Sequence, residues 1–337
     1  MTELLRDIRA YLRADFKPGL YVATALWVGL LIAINYTYGV ERDLIDAQPY
    51  SVWRPVWYFC MYATAYYGAF WLWSSFHHRR DIWRNGWFWL HTLVALTAYS
   101  YYAGFIAYAD WAQRNFPDFG LYVYVGNVHS LVTIVVPLVL YYVLVDKPDN
   151  GFYGLKPKRK GLITYLILLA LMVPIIVYAS FQPDFLQAYP TYRNTDAHTL
   201  LNVPEWLTAL GYELAYGWDF VPTELLFRGF LVIGLSRILQ QNVPVPGWSD
   251  VSVDSPDRTR PDRTRPDRTR PGPVLPMIVW YATIHFGRPP GETISSLFGG
   301  YILGVLALST RSVWGGLFIH IGIAWLMEIA AFWQKIN

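Results

Sequence analysis

Charge and cysteine are both scarce in this chain. Only 15% of its 337 residues are Asp, Glu, Lys or Arg, against about 25% in an ordinary soluble domain. That shortage excludes a soluble globule, a disordered protein and a charged coiled coil. The one cysteine, Cys60, excludes an internal disulfide and any cysteine metal cluster. A net charge of +3 provides no whole-protein basic field, so nucleic acid is not an expected partner. What fills the chain instead is apolar and aromatic. Hydrophobic residues make up 54%, mean hydropathy is +0.25, and there are 16 Trp, 26 Tyr and 18 Phe. Such aromatics suit the two interfaces of a bilayer.

Five uncharged apolar runs in the first 183 residues approach the ~20 residues that cross a hydrocarbon core: Pro18–Val40, Pro55–Phe76, Asn85–Ala109, Phe119–Val145 and Gly161–Pro183. In lipid a backbone must satisfy its own hydrogen bonds, so each is expected to be a helix. No short apolar region near the N-terminus ends in a small-residue cleavage site, and the first run reads as a retained span. Lys plus Arg counts alternate along the connections: four in 1–17, two in 41–54, three in 77–86, one in 110–118, five in 146–160 and one in 184–204. By the positive-inside rule the N-terminus is cytoplasmic. Residues 1–17 place Leu5, Ile8, Leu12 and Phe16 on one helical face, with Arg6, Arg9 and Arg13 elsewhere. This is the pattern of an amphipathic helix lying on a membrane surface.

The second half is less regular. Glu205–Gly217 is short and carries Glu213; Pro222 opens a helical pattern from Val221 to Leu239. Residues 241–273 hold three repeats of Pro-Asp-Arg-Thr-Arg, whose prolines and mixed charge read as a disordered loop. Pro273–His285, Thr293–Thr310 and Ser312–Met327 follow as apolar segments. The expected architecture is an all-α, polytopic transmembrane helical bundle. It has about nine spans (eight to ten), nine if 205–240 crosses once. Residues 1–17 form the interfacial helix, 18–150 a four-span region, and 151–337 a core interrupted by the repeat loop.

An ionisable side chain inside a span is costly, and each is a functional candidate. His91 and His129 share their segments with no carboxylate, so neutral histidines bonded across helices are expected there. The second half carries Glu213, Asp219, Glu224, Arg228, His285, Glu292, His320 and Glu328. Glu224 and Arg228 stand at i and i+4 on one helix face, as a structural ion pair or as an oriented carboxylate. Glu224 near the start of its helix and His285 near the end of the next fall at similar depth if the two run antiparallel. His320 lies in the middle third of the last span. One carboxylate and two imidazoles converging in this way can activate water. Two His and one Glu also make a zinc triad, although no HExxH spacing enforces one.

Three segments carry a family resemblance: Thr223-Glu224-Leu-Leu-Phe227-Arg228-Gly229, Tyr281-Ala-Thr-Ile-His285 and His320-Ile-Gly-Ile-Ala324. In order and placement they resemble the CPBP family of CAAX prenyl proteases and bacteriocin-processing enzymes, also called Abi. That family's motifs are Glu-Glu-x-x-x-Arg, Phe-x-x-x-His and His-x-x-x-Asn. The likeness covers roughly residues 160–333. It implies an intramembrane peptidase built around a polar cavity, with Glu224 and Arg228 in the second-Glu and Arg positions. His285 would position water, and His320 would stand on the oxyanion side. Thr223 replaces the family's first glutamate and Ala324 its third-motif asparagine. The base role then passes to Glu224 or to another acid; Glu292 and Glu328 are the candidates, with Thr223 as a supporting residue. Glu292 also reads as a first-turn helix acid and Glu328 as a snorkelling helix-end acid.

The expected function is hydrolysis of a peptide bond in a membrane-associated or lipid-modified protein or peptide. The setting is the bacterial inner membrane, without a firm cofactor, zinc being the minority alternative. The competing readings are a catalytically inactive relative serving as a membrane scaffold, and a carrier using Glu213, Asp219 and the histidines as a relay. The carrier reading lacks a visible inverted repeat.

Overall fold

Every regular element among the described residues is helical. The computed structural model describes residues 2–48, 51–104, 129–146, 151–157, 162–192, 197–241 and 272–336. The Pro-Asp-Arg-Thr-Arg loop, Asn127 and the first part of the fourth apolar run, residues 119–128, lie outside them.

The order is α1 (Thr2–Asp15), α2 (Pro18–Tyr38), α3 (Trp53–Phe76), α4 (Gly86–Gly104) and α5 (Leu131–Asp146), then α6 (Leu162–Ala179) and two short helices, α7 (Pro183–Ala188) and α8 (Ala197–Leu201). A long rod, α9, follows over residues 205–241. It is α-helical at Glu205–Glu224, widens to π-helix at Leu225–Gly234 and returns to α-helix at Leu235–Gln241. α10 (Val274–Thr283), α11 (Pro290–Thr310) and α12 (Trp314–Ile336) complete the chain. Among the described residues three helices are long and apolar enough to cross a membrane: Pro18–Tyr38, Pro290–Thr310 and Trp314–Lys335. α3 and α4 have the length, but tyrosine and tryptophan lower their hydropathy.

The rod α9 corrects one expectation. Pro222 does not open a helix; it lies inside one. Proline removes one backbone donor and crowds the carbonyl four residues earlier. The chain continues into the wider turns of a π segment, a form that recurs where a helix carries function. Residues 205–241 are therefore one rod, and Glu224 sits at its middle.

α10 is the centre of the bundle. All ten of its residues are buried, as expected of a helix that is apolar all round. It packs between α3 and α11, with α2 and the π segment alongside. Trp280 is the hub of an aromatic cluster, with ring centroids 5.9 Å from Tyr62, 5.8 Å from Tyr66, 6.0 Å from Tyr99 and 5.0 Å from Phe227. Each such pair adds about 0.5–1.5 kcal/mol beyond its buried area. The cluster joins α3 and α4 to the π segment and α10 in one core.

Outward faces are apolar too. Val22, Leu26 and Leu30 on α2, Ile163, Leu171 and Ile175 on α6, and Trp325, Ile329 and Trp333 on α12 are exposed. On a protein in water these would be patches in need of a cover. α1 docks on the bundle by its Tyr11 and Asp15 edge. The Tyr11 hydroxyl donates to the Gly272 carbonyl at 3.1 Å, and Asp15 accepts from Trp73 Nε1 and Tyr21, each at 3.0 Å. Leu5 and Phe16 stay exposed, while Ile8 and Leu12 are half-buried.

Close approach is bought with glycine at particular points. A Cβ on Gly229, in the π segment, would lie 2.6 Å from the Tyr153 carbonyl oxygen. On α11, Gly300 and Gly304 face Tyr281 and Met277 of α10, but Gly299 faces open space. Gly229→Ala is expected to destabilise the fold by roughly 1–3 kcal/mol, because a backbone oxygen cannot swing away. Gly299→Ala should be neutral or stabilise by up to about 1 kcal/mol through helix propensity. Unfolding of both variants in detergent micelles checks the pair.

Candidate active site

Arg228 must bury a guanidinium in the fully enclosed π segment, and the sequence supplies its counter-charge one turn earlier. Arg228 Nη1 lies 3.2 Å from Glu224 Oε1, and both side chains are 0% exposed. Leaving either charge alone in that setting would cost several kcal/mol. The carboxylate has a second neighbour from another helix: His320 Nδ1 of α12 is 2.7 Å from the same oxygen. Space for this meeting comes from Gly316, one turn before His320. A Cβ there would stand 2.3 Å from Glu224 Oε2.

Tyr281 of α10 completes the arrangement. Its hydroxyl is 2.6 Å from His320 Nε2, and the Arg228 guanidinium carbon lies 4.0 Å from its ring centroid. Glu224, Arg228, Tyr281 and His320 thus form a closed polar circuit across three helices. His320 is its most open member, with 16% of its side chain exposed. Phe220, one turn before Glu224, packs on the imidazole at 5.2 Å between ring centroids. Within the circuit Glu224 Oε1 and Oε2, Arg228 Nε, Nη1 and Nη2, and His320 Nδ1 are buried without a hydrogen-bond partner among the described residues, the Glu224 contacts to Arg228 and His320 being close approaches rather than aligned hydrogen bonds.

His285 follows the last turn of α10. Its Nδ1 is 2.8 Å from the Tyr281 carbonyl oxygen, and its ring packs edge-on against Tyr281 with centroids 4.9 Å apart. A carbonyl only accepts, so Nδ1 carries the proton and Nε2 presents a lone pair. The turn is pinned by Thr293, whose hydroxyl donates to the His285 carbonyl at 2.7 Å.

The other candidates lie elsewhere. The Thr223 hydroxyl donates back to the Asp219 carbonyl at 3.2 Å. Asp219 itself accepts from Tyr102 at 2.8 Å and Ser130 at 2.5 Å. Glu328 Oε1 accepts from the backbone N–H and hydroxyl of Thr191, each at 2.7 Å, and Oε2 from the Tyr192 N–H at 3.3 Å. Rather than snorkelling at a helix end, Glu328 is buried and holds residues 191–192 against α12. Glu292, in the first turn of α11, accepts from the Tyr189 hydroxyl at 3.2 Å. Ala324 is buried. His91 and His129 meet carbonyls across helices, those of Phe230 at 3.0 Å and Tyr102 at 3.2 Å.

A zinc site needs three donors together, and among the described residues no three His, Cys, Asp or Glu side chains are so gathered. The imidazole nitrogens of His320 are both engaged. Comparison of the chain with protein-family models, curated proteins and solved structures yields no match. Sequence reasoning missed two members of this site. Tyr281 is visible in the sequence as the aromatic that opens the second motif, and Gly316 as a small residue one turn before a half-buried histidine.

Glu224→Ala alone would leave Arg228 uncompensated, at a cost of about 3–5 kcal/mol. Glu224→Ala combined with Arg228→Met is expected to be more stable than Glu224→Ala by itself, measured as denaturation midpoints in micelles.

Proposed function

We propose that the chain is an intramembrane peptidase of the CPBP kind. It would work in the bacterial inner membrane with a cytoplasmic N-terminus and about nine crossings, on a membrane-associated protein or peptide. The observation that carries this reading is the convergence of the first and third motif segments on Tyr281 of the second: Arg228 on its ring and His320 on its hydroxyl, with His285 of its own segment on its carbonyl.

In this reading the base role falls to His285 rather than to Glu224. Glu224 is enclosed between Arg228 and His320, so it serves as the group that orients His320 and neutralises Arg228. His285 keeps its Nε2 lone pair without a partner among the described residues. It takes a proton from water at Nε2 as the water oxygen attacks the peptide carbonyl, then returns that proton to the departing amine. Negative charge on the carbonyl oxygen develops toward the Arg228 side of the circuit, in a setting of low dielectric where oriented polar groups are most effective.

A specific observation favours the scaffold reading. Thr223 stands in the place of the family's first glutamate, and its hydroxyl is spent on the Asp219 carbonyl. The two readings separate in one experiment. The full chain is reconstituted in liposomes with a membrane-peptide library, and new N-termini are read by mass spectrometry. The peptidase reading expects cleavage by the wild type and a loss of about 10²–10⁴-fold in His285→Gln, the usual contribution of a general base. Equal cleavage by both proteins contradicts it. Partner binding by both without cleavage supports the scaffold.

A further inference from the structure

Resting on the peptidase reading, one residue of the site has a role that neither the motifs nor the reaction assigns. Tyr281 reaches both imidazoles through different atoms. Its carbonyl oxygen takes the His285 Nδ1–H at 2.8 Å, and its hydroxyl meets His320 Nε2 at 2.6 Å. Its ring is clamped between the Arg228 guanidinium, 4.0 Å from the centroid, and α11, where Gly300 leaves just enough room: a Cβ there would stand 3.1 Å from Tyr281 Cδ1. The side chain is buried, so the hydroxyl is held without rotamer freedom.

We propose that Tyr281 is the positioning residue for His320, its hydroxyl fixing both the ring plane and the proton arrangement of that histidine. The direction follows from the partners. A carboxylate accepts only, so the Nδ1 that faces Glu224 carries a proton. In the neutral ring Nε2 is then a bare acceptor, and the Tyr281 O–H donates to it. Phenylalanine at this position would keep the aromatic packing and the His285 contact, because the carbonyl is backbone. It would release only His320. Tyr281 does not touch the scissile bond in this assignment; it acts through the imidazole it holds.

The test uses the full chain in micelles with ¹⁵N-labelled histidine, His320 being assigned through His320→Gln. In the wild type His320 should show one protonated nitrogen and one hydrogen-bonded acceptor nitrogen. In Tyr281→Phe the acceptor nitrogen should move downfield while the His285 signals stay in place. 3-Fluorotyrosine at position 281 keeps the fold and the hydroxyl and strengthens the donor; it should move the same nitrogen upfield. On any cleaved substrate Tyr281→Phe should lower kcat roughly 10–100-fold, the usual loss for a partner that orients an active group, with KM little changed. Unmoved His320 signals in both variants overturn the proposal whatever the activity. Moved signals in a protein that cleaves nothing leave the Tyr281 assignment standing and overturn the peptidase reading instead.

Discussion

The buried charge of Arg228 is the constraint around which the second half of the molecule is organised. A guanidinium that is 0% exposed cannot be left without an anion. Glu224 supplies the anion from one turn earlier, and its enclosure then demands a second partner, which comes from α12 as His320. The widened turns of the π segment carry Arg228 against Tyr281, and Gly316 clears the volume that the carboxylate occupies. Each of these features is costly or neutral in isolation and makes sense only beside the others. The polar circuit is accordingly both a lock between three helices and a fixed array of charge.

The same circuit decides the division of chemical labour. Groups that neutralise one another inside the fold are well placed to orient and poorly placed to exchange protons with a substrate. His285 differs because its partner is a backbone carbonyl, which fixes one nitrogen, while the other has no partner among the described residues. The first four helices contribute through packing: Trp280 ties α10 to tyrosines of α3 and α4, and α10 in turn carries Tyr281 and leads into His285.

Much of this was legible in the sequence. Apolar runs gave α2, α3, α4 and α6 nearly to their ends, because long uncharged stretches have few alternatives to helix. The i, i+4 spacing of Glu224 and Arg228 gave their pairing, and the arrival of His320 followed from motif order. The middle of α9 was not legible: Pro222 reads as a helix start, and only tertiary packing of the following turns makes it an interior residue. Nor was the fate of Glu328, whose partners come from a segment 136 and 137 residues away with no periodicity to announce it. Tyr281 escaped notice because an aromatic on an apolar helix reads as core, and its hydroxyl matters only once His320 is beside it.

The contact between Glu224 and His320 is the claim on which the circuit stands, and a double-mutant cycle on stability measures it without reference to any substrate. Glu224→Gln, His320→Gln and the double variant are unfolded in micelles beside the wild type. The account predicts a coupling of about 0.5–3 kcal/mol, as for residues in direct contact. Additivity within about 0.3–0.5 kcal/mol would contradict it, placing the two side chains in separate surroundings.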